Sequence, residues 1–265
     1  VSDDYNLDAG SDPATVAAAA AEADIDEVSD TPVYAVGIGP GNLEYLTPRG
    51  RRAIEEADVV VGFSTVIDFI AELTEAELLT CGYKDEREAL TTFADRVAAG
   101  DRGTAVLMGD PNHSGYQFVG KVQQVVDAPV RVIPGISSLQ MAASRVRTPM
   151  EDTEFVTLHK SGDITAGLDR LAREVGSRHL LVLPRPFDWM PGDIAAHLLD
   201  NGADPSLETL VCEHLTHDNE AVSRFTLAEL SEHAGGSGVD DTPFSDLSVL
   251  AVRRGEPQPG SAEEQ

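Results

Sequence analysis

Three short glycine-bearing stretches carry the residue types that could do chemistry: "VGIGPGN" at 36–42, "GDPNHSG" at 109–115 and "VIPGISS" at 132–138. Each belongs to the end of a short apolar run. Glycines there let backbone N–H groups approach a ligand closely, because no Cβ intervenes. In the second stretch Gly109, Asp110 and Pro111 add one carboxylate to such donors, at the strand end where open α/β sheets bind ligands. In the third, the Pro-Gly turn is followed by Ser137 and Ser138, either of which can cap the next helix. In the first, Pro40 removes a donor between Gly39 and Gly41, so the turn suits an anion less than its glycines suggest.

Spacing narrows the ligand class. A dinucleotide-binding turn needs G-x-G-x-x-G and an acidic residue ending the second strand. Here Asn42 stands where the last glycine belongs, and "VVVGF" ends without a carboxylate. A P-loop needs a G-K-[ST], and none follows. The common methyl-donor turn wants an acidic residue two positions before its first glycine, where this chain has Ala35. The plain alternative is a tight βα turn with no ligand. Three such turns, all after strands of one domain, favour a single binding crevice. A metal reading of Cys212, Glu213, His214 and His217 lacks a second well-spaced ligand pair, so no protein metal is expected.

The elements that must position these turns alternate. "VYAVGI", "DVVVGF", "AELLTC", "GTAVLMGD" and "APVRVIPG" read as strands, with helices over 47–57 and 86–99, after Gly115 and after Ser137. Short apolar strands separated by helices are what a parallel sheet covered on both faces requires. Pro149 and the charges of "RVRTPMEDTE" break the rhythm, which sets the domain boundary there. Beyond it come "FVTLH", a helix over 164–175, "HLLVLP", a helix over 191–201 and "ETLVCEH". "AVSRFTLAEL" and "DLSVLAV" then follow as further strand. The expected organisation is an α/β protein of two domains, 32–149 and 150–253. An acidic extension at 1–31 and a disordered tail at 254–265 flank them.

The chain of 265 residues carries 46 acidic against 19 basic residues, a formal charge of −27, and only Lys84, Lys121 and Lys160 are lysines. Such a surface repels nucleic-acid phosphates and anionic lipid, so neither partner is expected. It suits a concentrated-salt cytosol, where screening relieves the self-repulsion of the folded state. Two cysteines far apart fit a reduced compartment, and no run approaches the length of a membrane span. Acidic residues near the N-terminus stand where a signal peptide needs a basic flank. A cytoplasmic location is expected.

In their order and spacing, "VGIGPGNLEYLTPRGRRAIEEADVVVGF", "GDPNHSG", "VIPGISSLQMAASR" and "TEFVTLHKSG" resemble the tetrapyrrole (corrin and porphyrin) methyltransferase family. "VCEHLTHDNEAVSRFTLAEL" is similar to a later region of it. The resemblance spans about 33–252, and within the family it is strongest to members that methylate carbon 5 of cobalt-precorrin-7 in cobalamin synthesis. It implies two α/β domains, S-adenosylmethionine in the cleft between them, and a homodimer. Gly109, Asp110 and Pro111 would then line the donor site, with Asp110 near the methionine ammonium, a sensible pairing of opposite charges. Ser137 and Ser138 would hold the methionine end, and Gly39 and Pro40 would face donor and tetrapyrrole. Leu158, His159, Leu183, Pro184, Glu213, His214, Leu247 and Ser248 would flank the adenosine.

The reaction implied is attack by an electron-rich ring carbon on an activated methyl group, so positioning dominates, with a base to remove a proton afterwards. His113 and Tyr116 are the candidate bases. The substrate carries carboxylates, for which Lys84, Arg145, Arg147, Lys160 and Arg185 are the candidate cations. Cobalt would arrive inside the cobalt-precorrin, and a separate C15-methyltransferase/decarboxylase would complete the pathway step. The alternatives are another position-specific precorrin or uroporphyrinogen methylase, diphthine synthase, or a corrinoid-binding protein on the same fold.

Overall fold

The computed structural model describes residues 31–82, 85–160, 162–235 and 238–255. The expected extension at 1–31 lies outside these except at Thr31, and most of the expected tail at 254–265 also lies outside them. Residue contacts divide the chain into two compact units. One runs to Met141 and takes in Lys160 and Gly162; the other comprises Ala142–His159 and the chain from Asp163 onward.

The first unit is a five-stranded parallel sheet of β1 (Val33–Gly37), β2 (Val59–Phe63), β3 (Glu77–Cys81), β4 (Gly103–Leu107) and β5 (Val130–Ile133) in the order β3-β2-β4-β1-β5. Side chains alternate across a strand, so the apolar runs supply two faces at once. Val33, Ala35, Val59, Val61 and Ala105 pack on one face with Leu90 and Phe93 of α3 (Glu86–Ala98) and with Phe118 and Val122 of α4 (Tyr116–Val125). Val36, Val60 and Val106 pack on the other with Ile54 of α1 (Pro48–Glu55) and with Val66, Ile67 and Ile70 of α2 (Ser64–Ile70). Phe93 is wholly buried, which stabilises the fold by roughly 1.5–3 kcal/mol. The sequence reading names no helix between β2 and β3; the apolar face Val66, Ile67 and Ile70 of α2 is its signal. β1 and β4 are neighbours whose crossovers leave in opposite directions, to β2 and to β5. That makes their carboxyl ends a switch point where a crevice opens.

Helix α5 (Ser138–Val146) crosses the division between the units. The second unit has β6 (Thr153–Thr157), β7 (His179–Leu183), β8 (Glu208–Glu213), β9 (Ala221–Thr226) and β10 (Ser248–Val252), in the order β6-β7-β10-β8-β9. β6 and β7 are parallel; β10 runs antiparallel to β7 and β8, and β9 antiparallel to β8. One edge therefore collects the ends of β6, β7 and β8 and the start of β10. The core joins Val156, Leu180, Val182, Val211 and Leu250 to Leu171 of α6 (Thr165–Glu174) and to Ile194 and Leu198 of α7 (Pro191–Asp200).

"AVSRFTLAEL", expected as strand throughout, stops being one at Thr226. The Thr226 hydroxyl accepts from Glu229 N (3.2 Å), and the Glu229 carboxylate accepts from Thr226 N (2.8 Å). This reciprocal cap starts α8 (Leu227–Ser231), and T-x-x-E is its sequence cue. Among the described residues no helix is long and apolar enough to cross a membrane.

At the opposite edge of the first sheet, the Asp58 carboxylate accepts from Arg102 N (2.9 Å), Nε (3.0 Å) and Nη2 (3.0 Å), tying β2 to β4. Side-chain and backbone hydrogen bonds from Arg102 hold the Asp58 pKa at about 2, below its ordinary 3.8. A carboxylate depressed in the folded state adds stability above its unfolded pKa and loses it as pH falls through the folded one. Asp58→Asn should therefore lower the melting temperature by a constant small amount above about pH 4, and the gap to the parent should close towards about pH 2. Thermal melts of both proteins across that range check it.

Candidate active site

At the carboxyl edge of the first sheet the three glycine turns meet backbone to backbone. Gly109 N donates to Gly39 O (2.7 Å) and Gly39 N to Gly109 O (3.3 Å), while Ile38 N donates to Leu107 O (2.9 Å). A Cβ on Gly37 would lie 2.5 Å from Gly109 O and 2.8 Å from Pro111 Cδ; one on Gly135 would lie 2.2 Å from Gly109 O. Real Cβ atoms do not come so close, so both positions need glycine. The structure thus brings Gly39, Pro40, Gly109, Asp110 and Pro111 together.

Asp110 is nearly buried, and its Oδ1 accepts from Asn112 N (2.7 Å) and Nδ2 (2.8 Å). These bonds fix the carboxylate at the head of a single wide π-helical turn, Pro111–Gly115. His113 lies in that turn, half-buried, with its N–H donating to Asp110 O (3.0 Å); Tyr116, also half-buried, opens α4. Of the two serines, Ser137 is the cap. Its hydroxyl accepts from Gln140 N (3.2 Å), and Gln140 Oε1 accepts from Ser137 N (2.8 Å). Ser138 is the first residue of α5 and is half-buried.

The second unit gathers its own set at the edge described above. Leu158 N donates to Leu183 O (2.9 Å), and His214 N donates to Leu247 O (3.0 Å). Ser248 stands opposite Glu213, whose carboxylate accepts from Ser245 N (2.8 Å). Pro184 is buried, and Leu247 is exposed. His159 is half-buried, and desolvation pushes its pKa down against the pull of Asp246, with Arg185 adding to the lowering. Two hydroxyl oxygens at this edge, Ser248 Oγ and Thr157 Oγ1, are buried with no hydrogen-bond partner among the described residues. Unpaired buried polar atoms are costly.

Lys84 lies outside the described residues. Arg145 is held by Glu220 through Nε and through Nη2 (3.2 Å), and Arg185 by Asp188 (3.2 Å). Arg147 is exposed at φ 56°, and Lys160 is half-buried. Among the described residues no group of three or more His, Cys, Asp or Glu side chains could hold a metal ion. Cys212 is buried, and burial pushes its thiol pKa up to about 12. From the sequence Gly37 counts as one of the glycines of the first turn but has no assigned role, and Thr157 is not singled out. Gly37 is visible as the glycine ending "VYAVG", and Thr157 as the last residue of "FVT", but nothing local marks either as special.

A parallel glycine-turn sheet followed by a mixed five-stranded sheet is a two-unit α/β fold that solved methyltransferases share. The methyltransferase CobJ superposes with a TM-score of 0.67 at 20% identity, covering 85% of this chain and 95% of that one. The uroporphyrin-III C-methyl transferase of Thermus thermophilus, solved with S-adenosyl homocysteine, gives 0.62 at 23%, covering 84% and 92%. The chain belongs to the tetrapyrrole (corrin/porphyrin) methylases, whose family model matches residues 32–231. That family uses S-adenosylmethionine as methyl donor. Its relatives include the "Probable cobalt-precorrin-7 C(5)-methyltransferase" of Methanocaldococcus jannaschii, 29% identical over 75% of this chain and 91% of that one. They also include that organism's cobalt-precorrin-4 C(11)-methyltransferase, 24% identical over 79% and 84%. The chain spans 24% of the length of the cobalt-factor III methyltransferase of Priestia megaterium, to which it is 29% identical over 46% of its own length.

Gly135→Ala should disrupt the meeting of the three turns, because the atoms a Cβ would meet, Gly109 O and Gly37 C and O, are backbone and cannot swing aside. The expected cost is about 1–3 kcal/mol, with loss of S-adenosylhomocysteine binding. Differential scanning calorimetry and titration calorimetry read the two effects.

Proposed function

We propose that the protein methylates carbon 5 of cobalt-precorrin-7, with S-adenosylmethionine as donor. The likeness to the Methanocaldococcus protein, which runs over 91% of its length, carries this choice of carbon. The hydroxyls Ser248 Oγ and Thr157 Oγ1, without a partner among the described residues, and the buried, pre-oriented Asp110 carboxylate fit a donor with a ribosyl-adenine end and an ammonium end.

On this reading Gly109, Asp110, Pro111, Ser137 and Ser138 hold the methionine end, and Asp110 sets the ammonium by opposite charge. Leu158, His159, Leu183, Pro184, Glu213, His214, Leu247 and Ser248 receive the adenosine end. The donor supplies an activated methyl group on a sulfonium. The ring carbon is the nucleophile, so the chain's task is to fix approach and exclude water. Gly39 and Pro40 form the wall that does so. His113 Nε2 or the Tyr116 hydroxyl takes the proton that leaves the methylated carbon. Lys84, Arg147, Lys160 and Arg185 attract the substrate carboxylates. The working form is a homodimer in a high-salt cytosol, with a separate enzyme for C15 methylation and decarboxylation.

The deciding experiment incubates the protein with cobalt-precorrin-7 and methyl-labelled donor and locates the label by carbon NMR. The label should appear at C5. A label at another carbon moves the assignment to a different position-specific methylase, and absence of S-adenosylhomocysteine binding at high salt overturns the enzyme reading. In the same assay His113→Ala should slow turnover while donor binding persists.

Salt supplies a separate test. Between about 0.1 M and about 1 M KCl the Debye length falls from about 10 Å to about 3 Å. Self-repulsion at a formal charge of −27 should fade accordingly, and the melting temperature should rise. A flat or falling melting temperature would remove the high-salt adaptation.

A further inference from the structure

The loop that leaves β8 contains two non-glycine residues in left-handed backbone, His214 at φ 50° and Thr216 at φ 72°. For a β-branched residue such as threonine this conformation is an outlier, and it persists only where surrounding contacts over-determine it. The contacts that do so are specific. Glu220 Oε2 accepts from Thr216 N (2.7 Å), His217 N donates to His214 O (2.9 Å), and Glu220 N donates to His217 O (3.0 Å). The Glu220 carboxylate is itself clasped by the Arg145 guanidinium, through Nε to Oε1 and Nη2 to Oε2 (3.2 Å). The Arg145 side chain is about one-third exposed, and the Glu220 side chain less than one-quarter. Arg145, through its hydrogen bond above all, keeps the Glu220 pKa low, so the clasp stays charged.

Arg145 lies in the last turn of α5, and the segment it braces carries His214, whose N–H is bonded to Leu247 O. We infer that Arg145 is a positioning residue: by fixing Glu220 it holds the strained 214–216 backbone that sets Glu213 and His214 at the donor edge. This rests on the donor assignment proposed above. It gives Arg145 a role different from that of a cation for substrate carboxylates. The fork geometry suits the role, because a guanidinium engages both oxygens of one carboxylate and fixes its plane, which an ammonium cannot do.

The test needs no tetrapyrrole. S-adenosylhomocysteine affinity is measured by calorimetry at about 1 M KCl for the parent, Arg145→Ala, Glu220→Ala and the double variant, with thermal melts alongside. Each single variant should bind about tenfold more weakly, and the double variant no more weakly than either single one, as expected of residues acting as a unit. Arg145→Lys should recover only part of the affinity. Glycine adopts φ 72° without strain, so Thr216→Gly added to Glu220→Ala should restore affinity that Glu220→Ala loses. A merely structural ion pair would lower the melting temperature without this rescue. Unchanged affinity in Arg145→Ala and Glu220→Ala, or additive losses, overturns the inference while leaving the donor site intact. Failure of the parent to bind overturns the donor assignment itself. If Arg145→Ala does not fold, Arg145→Lys and Glu220→Gln give the same comparison.

Discussion

Everything at the carboxyl edge of the first sheet depends on one steric condition: three backbones meet at Gly37, Gly109 and Gly135 with no side chain between them. A Cβ on Gly135 would stand 2.2 Å from Gly109 O and one on Gly37 2.5 Å from it, so the turns after β1 and β5 can close on the one after β4 only with glycine at these two positions. Their closing fixes the start of the turn that carries Asp110, whose carboxylate is then locked by Asn112. The sheet order makes this meeting possible. β1 lies between β4 and β5, so three turns distant in sequence become neighbours at one edge.

The second unit solves a similar problem with different means. Its edge is formed by three strand ends and the start of the antiparallel β10, and the loop after β8 is held by strain and charge instead of glycine. Left-handed His214 and Thr216 cost conformational energy that Glu220 and the Leu247 carbonyl offset. A loop built this way is stiff only while its anchors last.

Much of this was legible in the sequence, for identifiable reasons. Strands buried on both faces must be short continuous apolar runs, and "DVVVGF" or "GTAVLMGD" can hardly be anything else. Turn glycines and the Gly-Asp-Pro turn announce a crevice because few other residues tolerate that backbone. The helix at 64–70 and the switch from strand to helix at Thr226 were less visible: the first is short, and the second depends on a four-residue cap at the end of an apolar run. Long-range polar pairings left no trace. Arg145 and Glu220 are 75 residues apart, and no periodicity links them, so Arg145 read alone looks like a surface cation. Gly37 and Gly135 are likewise indistinguishable from ordinary turn glycines until the third strand end is in place.

Charge gives these pairings a wider sense. In a chain of net charge −27, arginine is far commoner than lysine, and many of its arginines are cross-ties. Arg102 joins β2 to β4 through Asp58. Arg178 reaches Glu154 and the Glu151 carbonyl, Arg253 joins Glu208 and the Val146 carbonyl, and Arg254 bonds Asp152. Exposed single pairs stabilise little and are screened by salt, whereas forked pairs that also hold backbone groups fix geometry. The acidic surface and the forked arginines therefore answer to different demands. The first tolerates screening, and the second keeps loops and strand ends in place when screening has weakened every simple attraction.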